Sequence, residues 1–318
     1  MRQKRIRGIF AVAVLILLAV PVSAETLLIP VGRVVGLAVE EGTVTVMGFS
    51  EPLGAEARKA GVLIGDEIVS ADGEPIDSAE DLRQALARSD GTVELTLRRG
   101  SETIRKTLSP GATERGPMLG LYLREGVTGI GTVTYLDPET GEFGALGHGV
   151  SDAAGTLCDM ESGAVYPARV VGVRKGEPGA PGQLRGFLPT AEPLAELEKN
   201  TPCGIFGAGG SWRGEALPAA SPEEVSPGPA QILSNIDGEQ VRTFSVEILK
   251  ISDSGGRDLL LEVRDPELIA ATGGIVAGMS GSPILQNGRL VGAVTHVLVS
   301  DPTRGYGILI ENMQDAAG

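Results

Sequence analysis

The chain has little of what usually anchors a metal site or a disulfide scaffold. Its 318 residues include two cysteines, two histidines, one tryptophan and only 3% aromatics. Cys158 and Cys203 cannot make a disulfide framework in so long a chain; a single pair and two buried thiols both stay open. No HExxH or CxxC spacing occurs, so a zinc site has few ligands to draw on, and no cofactor is expected. Positive charge is also scarce. Lysine and arginine number 27 against 41 acidic residues, and the formal charge of −14 speaks against a nucleic-acid binder, which needs a basic face for phosphates.

Glycine and proline are plentiful, at 46 and 20 residues, which favours turns and short elements over long helices. With 42% hydrophobic residues the chain can bury a core, and its length suits about two domains. The extreme N-terminus has the order of a secretory signal. Arg2, Lys4, Arg5 and Arg7 precede an apolar run from Gly8 to Val20, then Pro21 and the small residues Val22-Ser23-Ala24. That run is shorter than the about 20 residues a membrane span needs. Residues 1–24 are therefore expected to direct export, either cleaved after Ala24 or kept as an anchor.

Residues 25–110 read as one small α+β unit. Val34 to Val39 and Thr43 to Met47 are predicted strands around a turn at Glu41-Gly42. A short helix over Ala55 to Ala60 ends at Gly61, and a strand follows within Val62 to Gly73. Ser78 caps a helix to about Arg88 with Leu82, Ala85 and Leu86 on its apolar face. Strands Thr92 to Arg98 and Glu102 to Leu108 close the unit. This order, with the stretch Ala57 to Gly73, resembles the PDZ family in its permuted form. The resemblance implies that an extended peptide adds to a sheet edge and leaves its carboxylate on backbone N–H groups. The matching loop is Gly32 to Leu37, with Gly32, Val35, Gly36 and Leu37 as the peptide-binding residues.

Residues 111–318 are predicted to be β-rich, with strand patterns at 131–136, 168–173, 241–251, 259–263, 284–285 and 290–299. Lys175 to Gly182 and Leu217 to Pro229 read as exposed loops. Within this unit, Gly278-Met279-Ser280-Gly281-Ser282-Pro283 has the form acyl transfer requires. A serine on a glycine-flanked turn projects its hydroxyl, while the N–H groups of Gly278 and Ser280 converge on a developing oxyanion. The apolar strand from Leu290 to His296 follows, a layout that looks like chymotrypsin-type peptidases. A serine of this kind needs a base. His148, in Gly147-His148-Gly149, is favoured over His296 by chain order and loop setting. The residues alone leave the acid open. Asp265 reads both as a triad member and as a helix cap before Pro266, and Asp152 and Asp301 compete.

The stretches Gly144 to Asp152, Thr272 to Ile284, Gly292 to Val297 and Asp301-Pro302-Thr303 closely resemble the stage IV sporulation protein B peptidases. By motif, the resemblance puts the catalytic histidine on His148, the serine on Ser280 and the acid on Asp265. It implies a mainly β protein, a PDZ-like domain followed by a chymotrypsin-like double barrel. It further implies export to the space between forespore and mother cell, self-cleavage, and cleavage of a membrane-bound regulator. That cut releases an intramembrane protease to process a sigma-factor precursor. Met279 stands where many chymotrypsin-like enzymes carry an aspartate that pairs with a new N-terminus, so that activation device is absent. The competing expectation is a non-catalytic PDZ adaptor that binds membrane partners.

Overall fold

The computed structural model describes residues 25–152, 155–190, 192–252 and 256–318. The expected signal, residues 1–24, lies outside the described residues. Strand β1 (Leu27–Pro30) leads into β2 (Val34–Phe49), 16 residues long. After it come α1 (Ala55–Lys59), β3 (Glu67–Ala71), β4 (Glu74–Pro75) and α2 (Ala79–Arg88). Then follow β5 (Val93–Arg99), β6 (Glu102–Leu108), β7 (Gly111–Thr113) and β8 (Gly116–Met118). The chain returns in β9 (Leu121–Leu136), also 16 residues, antiparallel to β2 along its length.

Two expectations change here. The turn at Glu41-Gly42 is a bulge inside one continuous strand, because the halves of β2 have different outer partners. Val44 and Thr45 pair with β3, while Val35 to Glu40 pair with a strand further on, β11 (Ser162–Pro167). The small α+β unit is therefore an insertion between two strands of the next domain and does not begin at residue 25. Its core packs Val44, Val46, Ile68, Leu82, Leu86, Leu95 and Leu97 together. Ser78 caps α2 as expected, its Oγ accepting from the Asp81 amide at 3.1 Å. Asp66 is fully buried; it accepts from Leu63 N at 2.8 Å and from the Arg99 fork at 2.7 and 2.8 Å. The Arg99 hydrogen bond holds its carboxyl below the ordinary range despite burial.

The C-terminal part of β9 joins β10 (Glu142–Ala145), β11, β14 (Ala195–Thr201) and β15 (Gly204–Gly209), while β12 (Arg169–Arg174) and β13 (Gln183–Phe187) form a separate hairpin. Because β2 pairs with both β9 and β11, the sheet closes as β2-β9-β10-β15-β14-β11. Val35, Leu37, Val133, Phe143 and Leu197 fill this barrel, and Phe143 meets Trp212 edge-on at 5.0 Å. Beyond β16 (Leu217–Pro218), a second barrel closes as β17 (Gly228–Ser234), β18 (Arg242–Ile251), β19 (Leu259–Val263), β22 (Arg304–Leu309), β21 (Arg289–Val297) and β20 (Pro283–Gln286). Helix α3 (Pro266–Thr272) lies between β19 and β20, and α4 (Ile310–Ala317) follows β22. Alternate residues point inward, as strand geometry requires: Phe244, Val246 and Ile248 on β18, Leu259, Leu261 and Val263 on β19.

Taken in chain order within each barrel, the six strands close in the same sequence, 1-2-3-6-5-4. Both barrels thus share one topology, the double barrel expected from the sequence. The connection between third and fourth strands carries His148 in the first barrel and Ser280 in the second.

Candidate active site

Ser280 sits at the seam of the two barrels. Gly281 explains the seam: with φ +94°, a Cβ there would lie 1.9 Å from the Thr132 carbonyl oxygen. Only a glycine lets the two barrels pack this closely at the seam. Met279 is fully buried in the second core, so an apolar side chain fills the place next to the nucleophile turn. Thr132, on β9, pins the turn twice. Its N–H donates to Ser280 O at 2.9 Å, and its buried Oγ1 donates to Gly278 O at 2.8 Å. The β12–β13 hairpin grips the residue before: Leu184 N donates to Ala277 O at 2.9 Å and Ala277 N to Gly182 O at 3.0 Å. In a trans peptide C=O and N–H point oppositely, so the Gly278 N–H is turned away from the hairpin. Among the described residues neither the Gly278 nor the Ser280 amide donates to a protein acceptor. Two uncommitted donors beside one serine form the arrangement an oxyanion needs.

His148 and Ser280 line one cleft of about 310 Å³ with Leu37, Val127, Gly129, Ile130, Leu146 and Gly278. His148 Nδ1 lies 2.9 Å from Gly149 O. A carbonyl only accepts, so Nδ1 carries the proton and Nε2 is left with its lone pair, the tautomer of a general base. Burial holds the His148 imidazole below its ordinary pKa, against the Gly149 hydrogen bond. The Ser280 hydroxyl donates to Thr295 O at 2.7 Å, so in the resting structure its proton is held by a backbone carbonyl. The loop holding His148 is latched from β14, where Asn200 Oδ1 accepts from Val150 N at 2.8 Å and Nδ2 donates to the Val150 and Cys158 carbonyls.

The structure does not bring the expected acid to this histidine. Asp265 caps α3: its Oδ1 accepts from Glu267 N at 2.9 Å and Leu268 N at 3.0 Å, and Oδ2 from Ser245 N at 3.3 Å. Pro266 at the first helical position completes the cap reading. Asp152 accepts from Thr156 N, and Asp301 from Thr303. Among the described residues no hydrogen bond joins a carboxylate to His148. His296 stands beside it instead, with ring centroids 5.0 Å apart and planes tilted by 38°. Burial, then charge on His148, then the Arg257 guanidinium hold His296 down to about 4, although the residue keeps an exposed part.

The expected peptide-binding loop, Gly32 to Leu37, is occupied by the first barrel itself. Val35 and Leu37 are buried in the first barrel, and Gly36 lies under Leu188. Gly32 gives its N–H to Val133 O at 2.9 Å. These backbone groups are spent on barrel pairing and leave none for a carboxylate. The apolar groove of the inserted unit lies elsewhere, between α2 and the first residues of β9. It measures about 350 Å³ and is lined by Leu53, Leu82, Leu86, Leu119, Leu121 and Leu123. The signal overlooked in the sequence was Leu119-Gly120-Leu121, a glycine between apolar residues at the start of a strand. Thr132 carried no signal of its own. Cys158 and Cys203 are free thiols, and burial pushes Cys158 up to about 11.

Comparison with known proteins places this geometry. Residues 54–99 match the PDZ domain. A protein named as a zinc metalloprotease in Rhizobium meliloti (strain 1021) is 35% identical over 111 residues, 35% of this chain and 28% of that protein. One from Clostridium perfringens (strain 13 / Type A), also named a zinc metalloprotease, is 34% identical over 83 residues, 26% of this chain and 25% of its own length. The chain thus spans under a third of the curated relatives it matches. Among solved structures, Rv3671c from M. tuberculosis H37Rv, in an inactive serine-to-alanine form, shares 14% identity over 59% of this chain and 79% of its own, at a TM-score of 0.32. That likeness is too loose to add to the strand order described above. Residues 116–314, well over half the chain, match the model of SpoIVB peptidase S55, and the chain belongs to that family of serine peptidases.

Proposed function

We propose that the protein is an exported endopeptidase in which His148 takes the Ser280 proton and Ser280 attacks a peptide carbonyl. The Gly278 and Ser280 amides then hold the oxyanion. The observation that carries this reading is the single cleft uniting His148, Ser280 and two uncommitted amides. The Gly149 carbonyl orients His148 in the place of an acid. It fixes the tautomer but lacks the full negative charge that would stabilise the imidazolium, so the resting site works as a Ser-His dyad. Asp265 supports the site from a distance, by capping the helix that runs into the Thr272 to Gly278 segment. Family membership and the sequence motifs favour the finer role: self-cleavage, then cleavage of a membrane-associated regulator that triggers intramembrane proteolysis and sigma-factor activation in sporulation. Export and the space between forespore and mother cell rest on residues 1–24 and on that family role.

The test uses the purified full chain beside Ser280→Ala, followed on a gel for self-fragmentation and for labelling by a serine-directed phosphonylating probe. Fragments and label in the parent alone support the peptidase. Neither in both proteins, with candidate substrate present, turns the reading to the PDZ adaptor.

A further inference from the structure

The strand that walls the active-site cleft is the strand that walls the PDZ groove. Strand β9 gives Leu121 and Leu123 to the groove and Val127, Gly129 and Ile130 to the cleft with His148 and Ser280. One edge of β9 is taken along its whole length by β2, from Leu121↔Phe49 to Thr132↔Val34. On the other edge β10 pairs only from Val133 onward. Val133 turns its N–H and C=O toward Arg33 and Gly32, on the β2 side. Thr132 turns both of its groups the opposite way, to Ser280 O and from Leu146 N. By strand alternation the backbone groups of Ile130, Thr128 and Gly126 face the same way as those of Thr132. No strand of the described residues pairs with them there.

This free edge has a stop at one end and the nucleophile at the other. At the groove end, the Leu119 and Gly120 amides donate to no protein acceptor among the described residues, and Gly120 has φ +66°. Such amides suit a terminal carboxylate. A peptide pairing antiparallel to β9 runs from the Ser280 end toward Leu121, so its C-terminus is the end that arrives at Leu119-Gly120. The nine steps from Leu121 to Ile130 span about 30 Å at ~3.3 Å per residue.

Resting on the peptidase reading above, we propose that β9 is a docking rail for a polypeptide substrate with an apolar C-terminal residue, bound by its free carboxylate at Leu119-Gly120 and cut about ten residues upstream. The apolar groove between Leu82, Leu86, Leu121 and Leu123 takes the last side chain, and the unpaired edge from Gly126 to Ile130 takes the intervening backbone. Leu37, Ile130, Leu184 and Leu188 line a contiguous cleft that receives the residues just past the cut. Glu125, whose carboxylate holds the Ala79 amide, marks where the peptide leaves the groove and swings aside as it passes. The rail selects by distance from the C-terminus, so a good scissile sequence at the wrong spacing is a poor substrate.

Disulfide tethering tests this without knowledge of cleavage preference. Ser280→Cys is placed in the full chain with Cys203→Ser, since Cys203 is half-buried and would compete. The probes are Ser/Thr peptides ending in valine, each with one activated disulfide about 4, about 10 or about 20 residues before the C-terminus. Exchange is expected to peak at the middle spacing and to fall about tenfold or more when the carboxylate is amidated, through lost effective concentration. A rate indifferent to spacing or to amidation overturns the rail. If the spacing dependence appears while the parent chain is never labelled by a serine probe, docking stands and the peptidase reading fails. If the parent cleaves peptides while tethering is flat, the rail alone fails.

Discussion

Thr132→Val removes one hydroxyl at nearly constant volume and isolates the bond that steadies the nucleophile turn. Thr132 is fully buried, and its Oγ1 is 2.8 Å from Gly278 O. Valine leaves that carbonyl without its donor, a penalty of about 1–3 kcal/mol for a buried acceptor. At about 2–4 °C per kcal/mol for a unit of this size, the melting temperature should fall by several degrees. The Thr132 N–H to Ser280 O bond survives, so the turn loosens on one side only. Losing an oxyanion donor outright costs about 10²–10³ in kcat. A donor that is merely less well held should cost less, about tenfold, with KM unchanged because the hydroxyl faces no substrate. Thermal melts and steady-state kinetics on one fluorogenic peptide read both quantities. A several-degree drop with kcat within twofold would refute the link between Thr132 and the oxyanion donors. No change in either would mean the bond contributes nothing.

Three further outcomes follow from particular contacts. Asp265→Ala should cost about 1–2 kcal/mol through the lost cap, whereas Asp265→Asn, whose amide oxygen still caps, should keep most activity; a loss above about a thousandfold in Asn with an unchanged melt makes Asp265 the acid instead. Because burial lowers the His148 pKa and the base must be neutral, the acid limb of kcat/KM should fall below the ordinary histidine value of about 6.5, and a limb at or above 7 contradicts it. Asp66→Ala should destabilise the PDZ unit by about 1.5–3 kcal/mol, while cleavage of short peptides persists. The Asp66 carboxyl is depressed when folded, so its stabilisation is present above about pH 4 and is lost as pH falls through the lower folded pKa; urea melts at two acidities check this.

Much of the fold was legible because strand periodicity and turn residues are local signals. Phe244, Val246 and Ile248 alternate inward along β18 as their spacing implied, and Ser78 caps α2 as its place before an apolar helix implied. Glu41-Gly42 misled because a turn pair flanked by two apolar runs is locally the same whether the chain reverses or bulges. Only the different partners of the two halves of β2 decide between them.

For the site, the sequence by itself determined the residue types: a serine between glycines on a sharp turn, a histidine between glycines, and no metal-ligand spacing to compete with them. These are properties of short segments, set by backbone freedom and side-chain chemistry. What tertiary structure decided was who stands next to whom. It set His296 beside His148, committed Asp265 to a helix end, and made Gly281 a point of contact between barrels. It also moved the peptide groove from Gly32–Leu37 to Leu119–Leu123. The reason is physical: a backbone amide can serve a ligand only if no strand has already claimed it, and strand partners lie far apart in the chain.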